Sequence, residues 1–348
     1  MAKVAILIPS LKKGGAEKQA CILAKVLAIK HDVSIIVPFP ESGMEKENID
    51  LSSLSNKEIV CFPNNKSGSV IQLYKVLKQL HPDYLFCYLT WPDFWGVLIG
   101  RLIGIKCIYQ GLRNAKIPRV KMILERVGNF FATGAVTNNY AGEKVFGKYG
   151  IKRQVVISNC YLNPKLPIIR NYKYAVTVIT VGRFVEQKDY STLISSMKLA
   201  IAQNPNLRLK IIGHGELENS VRLMVKNAGI ASVTEILINP PDIMEHLIQS
   251  DIYLSTSLFE GTSNSIMEAL DASLPVVATR VGDNEKLVLD GVNGFLTDTK
   301  DFKSLSDKIV MLGESLEMRN KMGIRGNEIL REEFGVEKFS KCYDSLLR

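Results

Sequence analysis

The chain is poor in the residues from which metal and redox sites are built. Its four histidines (His31, His81, His214 and His246) are scattered, without metal-site spacing. Six cysteines, Cys21, Cys61, Cys87, Cys107, Cys160 and Cys342, form no C-x-x-C pair and no compact framework, and read as buried free thiols in a reducing compartment. Long hydrophobic runs are missing too. Residues 96–105 are too short to span a bilayer and contain Arg101. The first apolar run, residues 4–8, stops at Pro9 and meets Lys12-Lys13-Gly14-Gly15, which is not the layout of a signal peptide. A cytoplasmic location is therefore expected, with the inner face of the membrane as a candidate docking place. The G-x-G-x-x-G dinucleotide fingerprint is absent, as are solenoid repeats and low-complexity segments. No helix-turn-helix, RNP or zinc pattern accompanies the basic residues, which sets nucleic acid aside as a partner.

With 46% hydrophobic and 23% charged residues among 348, the composition is that of a soluble globular chain long enough for two domains. The net charge of +9 is unevenly spread. Residues 1–165 carry 23 Lys and Arg against 11 Asp and Glu, giving +12, whereas residues 166–348 carry 21 against 24, giving −3. One half is thus suited to an anionic surface, either a membrane or a lipid-linked pyrophosphate.

Short apolar runs alternate with helical patterns throughout, the rhythm of βα units on a parallel sheet. Strands are expected at residues 4–8, 33–37, 84–88, 105–109, 134–137 and 155–157, with helices at 17–28, 70–80, 94–103 and 120–131. A polar, proline-bearing stretch at 158–173 interrupts the rhythm. It resumes with strands at 175–181, 207–212, 235–238, 252–254 and 276–279, and a helical tail from 302. This predicts an α/β protein of two Rossmann-like domains facing each other, residues 1–165 and 166–330. A C-terminal helix is expected within 331–348.

The most telling stretch is 255–296, STSLFEGTSNSIMEALDASLPVVATRVGDN through LDGVNGFL. A strand, a small-polar turn (Gly261, Thr262, Ser263, Asn264, Ser265) and a helix start make a place for a phosphate, because backbone N–H groups and the helix dipole both favour an anion there. Ser and Asn in the turn are also natural helix caps. Glu260 stands at the mouth of the turn. Glu268 follows inside the helix, where an acceptor-only carboxylate can hold two adjacent hydroxyls. Phosphate beside a diol describes a nucleotide sugar.

This stretch resembles the donor-site signature of retaining GT-B glycosyltransferases of the glycogen-synthase-like group. The resemblance implies that Glu260 faces the donor sugar, the loop amides hold the diphosphate and Glu268 binds the ribose. After the strand at 175–181, Gly182-Arg183 and Lys188 are similar to the family's cation pair. They would stabilise the leaving diphosphate without a metal ion, so no cofactor is expected. Gly14 and Gly15 resemble the glycine turn that lies under the donor phosphates, and Gly213 and Gly215 the glycine turn near the nucleotide. The family's usual aspartate and proline in the latter are His214 and Glu216 here. Many members carry a histidine near Gln110-Gly111-Leu112-Arg113-Asn114. None is present, and Gln110, Arg113 and Asn114 become candidates for the acceptor or the cleft. Other departures are Val281-Gly282-Asp283-Asn284 before a strand-like Leu287-Val288, Lys286 in place of an acid, and Ser273 in place of a glycine. The resemblance also implies that the C-terminal helix in 331–348 returns to the first domain.

The implied reaction moves a hexose or N-acetylhexosamine, with retention, from a nucleoside-diphosphate sugar to a saccharide acceptor. By family frequency the donor is a UDP-sugar, and the basic first half favours a lipid-linked acceptor over a soluble one, in cell-surface polysaccharide or glycan assembly. The alternatives are a sugar-nucleotide epimerase on the same fold and an inactive partner subunit that binds nucleotide sugar. Residues 116–127 combine basic and apolar residues at helical spacing. With Trp91, Trp95 and Arg101 they form a candidate patch for an anionic membrane, or else an ordinary helix packed on the sheet.

Overall fold

A computed structural model describes residues 1–11, 14–40, 59–113, 119–171 and 174–347. The chain divides into two compact units, Met1–Leu162 with Val336–Arg348, and Asn163–Gly335. The sequence-based boundaries at 165 and 330 lie close to these. The second one falls inside a helix that runs on to Phe334.

The first unit runs β1 (Lys3–Leu7), α1 (Gly15–Ala28), β2 (Asp32–Val37), β3 (Ile59–Cys61), α2 (Val70–Leu80), β4 (Tyr84–Tyr88), α3 (Val97–Leu102), β5 (Cys107–Leu112), α4 (Arg119–Phe131), β6 (Gly134–Thr137), α5 (Tyr140–Lys148) and β7 (Gln154–Val156). Its seven strands pair in parallel in the order β3-β2-β1-β4-β5-β6-β7. The strands are apolar on both faces because helices cover both sides. In β1 and the residue after it, Val4, Ile6 and Ile8 enter one core with α1, while Ala5 and Leu7 enter the other with α2 and α3. The helix expected at 94–103 is two pieces, a wider π-type turn at Pro92–Gly96 and then α3.

The second unit continues with β8 (Val176–Val181), α6 (Tyr190–Gln203), β9 (Leu207–Gly213), α7 (Glu218–Asn227), β10 (Thr234–Ile238), α8 (Ile243–Gln249), β11 (Ile252–Ser255), α9 (Asn264–Asp271), β12 (Val276–Thr279), α10 (Asn284–Leu287), β13 (Gly294–Thr297), α11 (Phe302–Glu314) and α12 (Leu316–Phe334). Its six strands are parallel in the order β10-β9-β8-β11-β12-β13. Leu287, expected in a strand, ends the short helix α10 instead, where Asn284 Nδ2 donates to the Thr279 carbonyl at 2.9 Å. Behind the sheet, the Arg170 guanidinium donates to the carbonyls of Ser250, Ala272 and Ser273, so the polar stretch before β8 is pinned to this unit. The chain then returns as α13 (Val336–Asp344), whose Phe339 and Tyr343 join the α1 side of the first unit's core.

Candidate active site

In the second unit the sheet grows outward from β8 through β9 to β10, then resumes on the other side of β8 with β11. Ligands of open parallel sheets bind at the carboxyl ends of the strands where the order reverses. Here that point lies between the ends of β8 and β11.

The two strand exits are tied together. After β8 a short 3-10 turn, Glu186–Lys188, leads to Asp189, whose carboxylate accepts from the Thr192 N–H and caps α6. Thr256, just beyond β11, donates to the carbonyls of Lys188 (2.8 Å) and Asp189 (3.0 Å). The Leu258 N–H donates to the Gln187 carbonyl, and Gln187 Nε2 donates to the Phe259 carbonyl, each at 2.8 Å. This double seam sets Lys188 beside Glu260. Lys188 Nζ lies 2.6 Å from Glu260 Oε1, with only 19% and 11% of the two side chains exposed. Ser257 Oγ donates to the same carboxylate oxygen at 2.8 Å, and Thr279 Oγ1 holds the Ser257 carbonyl at 2.6 Å. A sheltered pair of this kind needs extra hydrogen bonds to offset its desolvation, and Ser257 supplies one.

Glycine is required where backbones crowd this turn. Gly282 has φ +56°, and a Cβ there would strike the Glu260 carbonyl. A Cβ on Gly213 would strike the Gly182 carbonyl, so the ends of β8 and β9 can approach only without a side chain. The Phe184 N–H donates to the His214 carbonyl at 2.7 Å across the same gap, while Gly215, Gly182 and the exposed Arg183 complete the rim.

From Glu260 the chain passes Gly261, Thr262 and Ser263 into α9. The expected Ser cap is not made. The Ser263 side chain accepts no helix N–H, and its hydroxyl instead faces that of Ser265 at 3.2 Å. Asn264 and Ser265 are half-buried in the first turn, and Glu268 is half-buried one turn on. Sequence reasoning overlooked Tyr253, which reads as one more apolar strand residue. It is fully buried in β11, donates to the Val181 carbonyl at 3.2 Å, shares a hydrogen bond with Ser265, and feels the charges of Glu268 and Glu260. Burial pushes its hydroxyl above the ordinary range, so it stays a neutral donor beneath the site.

The first unit offers less. Gly14 caps α1 with extended backbone, and the Glu17 carboxylate folds back over it where a Cβ would lie. Gln110 departs from its expected place at a ligand surface. It has no exposed area, and its Nε2 donates to the carbonyls of Asp93 (3.3 Å) and Glu125 (3.0 Å). Arg113 is half-buried with its guanidinium 4.6 Å from the Tyr88 ring centre, and Tyr88 and Tyr343 meet through their hydroxyls at 3.4 Å. Asn114 lies outside the described residues. Among the described residues no helix is long and apolar enough to cross a membrane.

Residues 167–329 match the family model described as glycosyl transferases group 1. The chain is 28% identical over 344 residues to a lipopolysaccharide core biosynthesis glycosyltransferase, LpsE, of Rhizobium meliloti (strain 1021), covering 97% of this chain and 96% of that protein. It is 24% identical to the UDP-Gal:alpha-D-GlcNAc-diphosphoundecaprenol alpha-1,3-galactosyltransferase of Escherichia coli, covering 79% and 78% of the two chains. Among solved structures, Anabaena Alr3699/HepE in complex with UDP and glucose superposes with a TM-score of 0.82 at 20% identity, over 100% of this chain and 99% of that one. TarM gives a TM-score of 0.83 at 12% identity, with 100% and 99% covered.

Proposed function

We propose, from the match of residues 167–329 to the glycosyl transferases group 1 family model, that the chain is a retaining, metal-independent hexosyltransferase. Its fold class is GT-B, as the sequence resemblance implied. The donor in this reading is a UDP-sugar carrying a hexose or N-acetylhexosamine. The acceptor is a lipid-linked saccharide, and the product feeds cell-surface polysaccharide or glycan assembly. Relatives named for lipopolysaccharide core synthesis and for a diphosphoundecaprenol-linked acceptor support that choice, as does the basic first half of the chain.

One observation carries the reading: Lys188 and Glu260, 72 residues apart, meet at the reversal point of the sheet beside the start of α9. The α9 N–H groups and the cations of Arg183 and Lys188 take the diphosphate, and Glu268 takes the ribose hydroxyls. Glu260 holds Lys188 in place and faces the sugar. As the bond from C1 to the UDP oxygen breaks, the acceptor oxygen bonds to C1 on the same face, and its proton passes to a leaving phosphate oxygen. Charge growing on the diphosphate meets donors already in position, which lowers the barrier without reorganisation.

The test is a thermal-shift screen of nucleotide sugars, followed by turnover with a lipid-pyrophosphate-linked saccharide and NMR of the product's anomeric configuration. UDP release coupled to an α-linked product from an α-linked donor supports the reading. Inversion at C1 overturns retention. Sugar interconversion without acceptor indicates an epimerase, and binding without turnover a partner subunit.

A further inference from the structure

Helix α4 is built the wrong way round for a helix lying on a sheet. Such a helix ordinarily turns its apolar stripe inward. Here the buried positions are Met122, Glu125, Gly128 and Asn129. The outward positions Val120, Ile123, Val127 and Phe130, spaced three or four apart along one side, are 69%, 60%, 40% and 79% exposed, with Phe131 at 41%.

The inner side is held by polar contacts. Gln110 Nε2 donates to the Glu125 carbonyl, Asn129 Nδ2 donates to the Lys152 carbonyl at 3.2 Å, and the Lys152 N–H donates to Asn129 Oδ1 at 2.8 Å. Arg153 adds a bond to the Asn129 carbonyl at 2.8 Å. These partners fix the rotation of the helix and leave its apolar stripe facing outward.

The charges on that outer side are all of one sign. Arg119 and Arg126 are exposed beside the stripe, whereas Glu125, the helix's acidic residue, is buried, with Lys121 one turn before it on the same side. Beside the C-terminal end, Arg101 Nε donates to the Phe131 carbonyl at 2.5 Å, and the following residue, Leu102, is 76% exposed. Two residues expected in this patch do not belong to it. Trp91 and Trp95 pack against the core of β1, β4 and β5, with Trp91 edge-on to Phe39 at 5.3 Å.

We propose that the outer face of α4 docks the protein on an anionic lipid surface, with Val120, Ile123, Val127 and Phe130 in the acyl boundary and Arg119 and Arg126 at the headgroups. An apolar stripe flanked by long cations is the chemistry of an interfacial helix: the stems cover apolar surface while the charged ends reach phosphate. A second copy of this chain fits less well. A twofold contact through α4 would set Arg119 and Arg126 of one copy near the same cations of the other. The proposal adds a partner to the transferase reading and rests on the surface of α4 alone.

The test is co-sedimentation of the full chain with vesicles of phosphatidylcholine, alone and mixed with phosphatidylglycerol, with UDP affinity measured in parallel by calorimetry. Wild type is expected on the anionic vesicles only, with binding falling as salt rises. Arg119→Glu with Arg126→Glu is expected to lower partitioning by about tenfold or more. Ile123→Ser with Phe130→Ser is expected to lower it even at low salt. All these side chains are exposed, so the variants should unfold at the wild-type temperature and bind UDP as wild type does. Variants that sediment like wild type overturn the proposal. So does a wild type that ignores vesicles but forms a dimer that the serine variant dissociates. If UDP fails to bind to any form while vesicle binding follows the pattern above, the donor assignment falls and the docking face stands.

Discussion

Lys188 and Glu260 show what a single residue contributes to this site. The lysine is held by a carboxylate and, through Thr256, by its own backbone carbonyl. These contacts fix the place of the cation at the exit of β8. Lys188→Ala and Arg183→Ala are each expected to lower kcat on the order of 100-fold or more, because each removes a donor that acts mainly as charge builds on the leaving group. EDTA is expected to leave wild-type turnover intact. A strict requirement for added divalent metal in the steady-state assay would contradict the role given to these cations. Glu268→Ala is expected to weaken UDP binding by about 1–3 kcal/mol, the cost of leaving two hydroxyls unpaired; calorimetry with an unchanged affinity would remove Glu268 from the ribose. These residues were legible in sequence because each stands at a fixed offset from a strand end, where the parallel sheet puts its ligands. Gln110 occupies a similar offset and was misplaced. Its burial depends on Glu125 and Asp93, which arrive from other elements, and nothing local to Gln110 announces them. Tyr253 was missed for the converse reason, since its value lies in a hydroxyl at the end of an otherwise ordinary strand residue.

At the scale of elements, a period reveals a helix but not which side it buries. The pattern at 120–131 gave α4 to within one residue, yet the apolar stripe faces outward. The inward side is chosen by a polar cluster that no hydrophobic count detects. Asp93, in the π-type turn before α3, is buried beside Glu125; its Oδ1 accepts the Gly111 N–H at 3.1 Å, while Oδ2 finds no donor among the described residues. Burial, and then the nearby Glu125 charge, hold the Asp93 carboxyl well above the usual carboxylate range. A proton kept on Asp93 and shared with Glu125 satisfies both groups. The sign follows from linkage. The folded chain keeps a proton that the unfolded chain gives up near 3.8, so this group's contribution is full below that pH and is lost as pH rises through its folded value. Asp93→Asn keeps the Gly111 contact and a donor toward Glu125 but cannot ionise. Melting temperatures taken from about pH 5 to about pH 9 should fall less steeply in the variant than in wild type. Parallel curves would show that Asp93 is already charged in the fold. Short β3 and β13 were not anticipated either.

For the whole molecule, each unit has a core of its own, but the chain is not simply two consecutive domains. The second unit's core is closed by β8, β11, α6 and α11, with Val178, Leu254, Leu193 and Ile309 at its centre. The first unit's core is completed only when the last residues of the chain return to it. Phe339 and Tyr343 are 6% and 1% exposed. Tyr343 packs edge-on to Phe86 at 5.5 Å, and Tyr109 donates to the Leu346 carbonyl at 3.3 Å. The amphipathic pattern of the tail was readable, and its destination was expected only by resemblance, because a helical stripe does not say which sheet it covers. A chain ending at Gly335 should lose on the order of 1.5–3 kcal/mol for each of these two aromatic side chains, all of it from the first unit. Hydrogen exchange read by mass spectrometry should then show faster exchange in peptides from β1, β4, β5 and α1. Peptides from β8, β11 and α9 should keep their wild-type protection, and UDP should still bind, since the residues proposed to hold the diphosphate and the ribose, from Arg183 to Glu268, lie in the second unit. Protection lost evenly through residues 163–335 would mean that the second unit depends on the tail as well, and that the two cores do not fold as separate bodies.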